Sequence, residues 1–75
     1  MNKSRRKKIS VAVAELQKTL SNLEQIKDEE DDSRENIPEN LKDSEVFNSS
    51  EDASDVLQDA IDNIQEAIDL INEIT

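Results

Sequence analysis

Apolar residues recur at helical spacing in two stretches, one near each end, separated by a polar segment. In the first, Ile9, Val13, Leu16, Leu20, Leu23 and Ile26 step by 4, 3, 4, 3 and 3, which keeps all six on one stripe of a helix. In the second, Leu57, Ile61, Ile64, Ile68 and Ile71 step by 4, 3, 4 and 3, beside a seam of Ala53, Ala60, Ala67 and Ile74. The spacing predicts helix over residues 9–31 and 51–74. Neither stretch contains Gly or Pro, and Ala, Leu, Glu, Gln and Lys favour helix. Ser49 with Asp52 three residues on reads as an approximate capping box, with two acids at the positive end of the helix dipole.

The intervening residues 32–50 are long for a helix–helix connection, and they carry signals of their own. Ile37 precedes Pro38 and is biased toward extended backbone, so the first helix ends at or before it. Pro38 suits the start of a single turn over Glu39-Asn40-Leu41. Ser44 is placed to cap a second turn, Glu45-Val46-Phe47-Asn48. Ile37, Leu41, Val46 and Phe47 are the large apolar residues of this segment. With Pro38 they read as a plug over the open end of a helix pair.

These elements predict an all-α fold, a single antiparallel two-helix hairpin with a structured connector. The antiparallel return sets Ile9 near Ile74, Leu16 near Ala67, Leu20 near Ile64 and Ile26 near Leu57. The apolar stripe of the second helix is wider than one partner helix covers, because a strict seam needs only two positions in seven. Leu57, Ile61, Ile64, Ile68 and Ile71 are therefore candidate self-association residues. The expected assembly is a homodimer forming a four-helix bundle. Size argues the same way. A core in 75 residues leaves roughly 3–5 kcal/mol of net stability. With no Cys and no His, disulfides and the usual zinc sites are closed as reinforcement.

Charge sharpens the picture. There are 9 Lys and Arg against 19 Asp and Glu, a net of −10. Such a chain repels nucleic acid over most of its surface and attracts basic protein. Residues 1–8 oppose this trend with Lys3, Arg5, Arg6, Lys7 and Lys8. That basic head reads either as an arm for phosphate groups of nucleic acid or lipid, or as a neutraliser of the acids at the far end of the second helix. Asp55, Asp59, Asp62, Glu66 and Asp69 form a candidate acidic partner surface. One reading makes it an imitation of a phosphate backbone that occupies the basic groove of a nucleic-acid-binding protein. The plainer one makes it a solvated face.

The residue inventory bears on chemistry too. Asp28, Glu30, Asp32, Asn36 and Glu39 fall at calcium-loop positions, but Ser33 stands where the turn demands Gly and Pro38 interrupts the segment. A carboxylate pair for acid–base catalysis needs a pocket that bare helices do not offer. No enzyme activity, metal or cofactor is expected. The basic head is followed by no long apolar run, so neither a signal peptide nor a membrane span is expected, and the cytoplasm is the expected location.

The connector Asn36-Ile37-Pro38-Glu39-Asn40-Leu41, with Ile26-Lys27-Asp28-Glu29-Glu30 before it and Ala60-Ile61-Asp62-Asn63-Ile64-Gln65-Glu66-Ala67-Ile68 after it, resembles short uncharacterised acidic helical-hairpin proteins of bacteriophages and prophages. Their shared features are an N-x-P-E-N-L connector and repeated A-I-D-x-I-x-E-A-I phrases. The similarity spans about residues 20–74. Arg34 stands where those proteins usually carry an aromatic. The resemblance implies a phage context, a host bacterial cytoplasm and an unknown protein partner, and it implies no activity.

Overall fold

A computed structural model describes all 75 residues as two long helices joined by a short connector. Helix α1 runs Lys3–Glu35, a single 3-10 turn covers Glu39–Leu41, and helix α2 runs Glu45–Asn72. The two helices pack on each other as an antiparallel hairpin 60 Å long and 15 × 12 Å in section.

Both helices exceed the lengths that the apolar spacing predicts, and each extension has a local cause. At the start of α1 the Asn2 side chain caps the helix, its Oδ1 accepting from the Arg5 amide at 2.8 Å. Residues 3–8 are therefore helix and not a separate head, although a cationic first turn opposes the helix dipole. At its far end α1 continues through Ser33-Arg34-Glu35 and stops just before Ile37-Pro38, where the ring of Pro38 disfavours further helix. The calcium-loop spacing that begins at Asp28 is thus taken up in helix as far as Glu35.

Helix α2 begins at Glu45, six residues before the expected start at residue 51. Ser44 is the cap, its Oγ accepting from the Phe47 amide at 3.2 Å, with Glu45 in the first turn beside the positive end of the dipole. Ser49 and Asp52 lie inside the helix and form no capping box. What is left as connector is residues 36–44. The 3-10 turn falls on Glu39-Asn40-Leu41, closed by the Leu41 amide on the Pro38 carbonyl at 2.9 Å and by a Lys42–Glu39 ion pair at 3.0 Å.

The core is thin. Val13 and Leu20 of α1 meet Ile61 and Ile68 of α2, and Ile68 is the most buried at 2% exposure. Ile9, Leu16, Leu23, Ile64 and Ile71 pack around these four and stay half-buried. Ile61 and Ile68 thus hold the hairpin together and are not available to a second copy. Periodicity places five residues on a stripe; it does not show which of them the first partner helix takes.

Candidate interaction surface

Register along the hairpin is set at the connector end by a polar clasp. Asp31 and Arg34 of α1 and Ser54 of α2 lie on the core-facing stripes of their helices, and Ser54 is 3% exposed. The Ser54 hydroxyl donates to Asp31 Oδ1 at 2.7 Å and accepts from Arg34 Nη1 at 2.8 Å. Arg34 Nη1 also reaches the Ser50 carbonyl at 3.1 Å, and Nη2 donates to Asp31 at 2.8 Å. Lys27 completes the group with a 2.8 Å ion pair to the other oxygen of Asp31. No buried side-chain polar atom lacks a partner, so the clasp is a fully satisfied network of the kind that specifies one pairing.

Pairing Asp31 with Ser54 fixes where every other residue sits. Continued along both helices at 1.5 Å per residue, it sets Leu20 level with Ile64, within two residues of the expected register throughout. Hydrophobic spacing does not announce the clasp, although a signal was present. Phe47, Ser54, Ile61 and Ile68 lie seven residues apart on one line, so a Ser on the core line implied a buried partner.

The carboxyl of Asp31 is held well below the usual carboxylate range, first by the hydrogen bond from Lys27 and then by those from Ser54 and Arg34. Lys27 is raised in turn by its bond to Asp31. A depressed carboxyl contributes stability that is fully present above its ordinary value of 3.8 and is lost as pH falls toward the folded value. Asp31→Asn is therefore expected to destabilise the hairpin near neutral pH, and its deficit against the natural chain should shrink below pH 3.8. Urea unfolding of both proteins at pH 7 and pH 3 measures this; a deficit as large at pH 3 as at pH 7 would refute it.

Around the core the two flanks differ in character. On one, Glu24, Lys27, Asp28, Gln58 and Ile61 line a shallow hollow, and Gln58 and Gln65 tether Asp62 and Asp69 at 2.9 and 3.0 Å. Leu23 and Leu57 each sit one residue before the polar pair Glu24 and Gln58. They are thus turned 100° back on their helices, onto the opposite flank. The same step carries Leu16, Ile64 and Ile71 there, with Ala12, Ala53, Ala60 and Ala67. The large residues of this second flank are half-buried, apart from Ile26 and Ile74, which are exposed. It is a continuous apolar face running along both helices.

The candidate residues are distributed accordingly. Of the self-association set, Leu57, Ile64 and Ile71 lie on the apolar face while Ile61 and Ile68 lie beneath it. Of the plug, Ile37 and Phe47 are half-buried, whereas Leu41, Pro38 and Val46 are exposed, Val46 at 72%. Asp55, Asp59, Asp62, Glu66 and Asp69 are all exposed. Compared with protein-family models, with curated proteins and with solved structures, the chain matches none. The likeness of its connector to phage hairpins rests on those residues alone.

The basic residues of the first turns stand apart. The three ion pairs of the molecule use Lys27, Arg34 and Lys42, so Lys3, Arg5, Arg6, Lys7 and Lys8 pair with none of the acids of α2. At this end of the hairpin Met1 and Arg6 line one shallow hollow with Glu73, Ile74 and Thr75, while Glu66 and Asp69 lie further along, level with about residues 15–19. Arg6 thus lies beside Glu73, one of the acids expected to face this head, without forming an ion pair with it. No helix is long and apolar enough to cross a membrane.

Proposed function

We propose that this chain is an interaction protein that works by binding and not by catalysis, and that its first partner is a second copy of itself. The supporting observation is the apolar face of Leu16, Leu23, Leu57, Ile64 and Ile71, left half-open along both helices of a hairpin whose own core holds four buried apolar residues. Contiguous apolar surface on a small acidic protein marks a contact site, and covering it yields a four-helix bundle of familiar geometry. The acidic flanks then lie outward, where a protein of host or phage with a basic surface would meet them.

Sedimentation equilibrium of the full chain tests the first step. A dimer is expected at tens of micromolar, dissociating on dilution together with a loss of helicity. A fully helical monomer across that range would overturn the proposal.

A further inference from the structure

The direction in which two copies pack is written in the charges. Level with Leu20 and Ile64 the hairpin divides into two halves of nearly equal length. The connector half, residues 20–64, holds 15 acidic and 3 basic side chains. The terminal half holds 4 acidic and 6 basic ones. One end of the rod carries −12 and the other +2. Copies aligned connector to connector would set the two strongly negative halves side by side, whereas copies reversed end for end set each against the weakly positive half of the other. Like charges juxtaposed across an interface disfavour a pairing, and complementary ones fix its register.

We propose that the second copy lies reversed on the apolar face, α1 against α1 and α2 against α2, about a two-fold axis near Ile64; this rests on the dimer proposed above. A two-fold interface requires that if residue i meets residue j, then j meets i. For antiparallel helices the paired numbers then have a constant sum, and the apolar face satisfies this. Ile64 meets Ile64 of the partner subunit, Leu57 meets the partner's Ile71, and Ala60 meets the partner's Ala67, with sums of 127–128. On α1, Leu16 meets the partner's Leu23, and Ala12 meets the partner's Ile26, with sums of 38–39. Small residues opposite each other or opposite large ones permit close approach. The same operation carries Arg5 and Lys8, which form no ion pair within the chain, over the partner's Glu30, at the acidic half.

A charge exchange tests the orientation. Lys8 and Glu30 lie on one helix about 33 Å apart, so within a chain they do not meet, and any compensation between them is intermolecular. Arg5→Glu with Lys8→Glu is expected to weaken the dimer about tenfold at low salt. Adding Glu30→Lys to that chain should recover most of the loss. A second measurement reads geometry directly, because the chain has no cysteine to interfere. Ser4→Cys and Asn40→Cys chains, each spin-labelled and then mixed, should show unlike labels within about 20 Å, two helix diameters. A dimer in which like Asn40→Cys labels lie close and unlike ones stand near the 60 Å rod length, or in which Glu30→Lys recovers nothing, overturns the orientation and leaves the dimer standing. A natural chain that sediments as a monomer removes both.

Discussion

Ile68→Ala is expected to leave the chain largely unfolded at micromolar concentration. Ile68 is the most buried side chain, at 2% exposure, in a core of four apolar residues. Truncating a buried Ile costs about 2–5 kcal/mol through lost transfer energy and the cavity left behind. A single core in a chain of this length supplies roughly 3–5 kcal/mol in all, so one substitution removes most of it. Circular dichroism should show the helical signal collapse, with partial recovery at high protein concentration where dimerisation opposes unfolding. Leu70→Ala, at an exposed position of the same helix, should change stability by less than about 0.5 kcal/mol. Ile68→Ala with a urea midpoint close to that of the natural chain would show that the hairpin does not depend on this core.

The second large effect concerns Ile64. Because the two-fold axis passes near it, Ile64→Glu sets two carboxylates against each other across the interface, each removed from water and neither with a cation at hand. Leaving one buried charge uncompensated costs about 3–5 kcal/mol, so the dimer should weaken by at least about a hundredfold. Sedimentation should then show a monomer at concentrations where the natural chain pairs. Asn63→Glu adds the same charge one residue away, at an exposed position, and should leave pairing nearly intact. Equal effects from the two would mean that net charge, and not the face, governs association.

How far the fold could be read in advance depends on the scale of the question. The stripes of residues 9–26 and 53–74 were legible because 3.6-residue periodicity is a property of sequence alone, and the turn over Glu39-Asn40-Leu41 because Pro38 restricts its neighbours. Helix ends were less legible. Asn2 and Ser44 each caps a helix with a single side-chain acceptor, and a competing signal at Ser49 and Asp52 looked equally good locally. The division of Leu57, Ile61, Ile64, Ile68 and Ile71 between the core and the open face was not legible at all. It depends on how α2 is rotated about its axis, and that rotation is set by the Asp31–Arg34–Ser54 clasp, a contact between residues 20 and 23 apart in sequence.

The connector settles one more question. Paired helical hairpins have an alternative route to a dimer, in which each chain straightens and exchanges an arm with its neighbour. Here Pro38 stands at the bend. A continuous helix through it would lose an amide hydrogen bond and clash with the preceding turn, at about 3 kcal/mol per chain. The bend itself asks for no left-handed backbone at any residue, so nothing in it favours opening. Arm exchange through one straight helix therefore carries a cost in both chains that pairing as finished hairpins avoids.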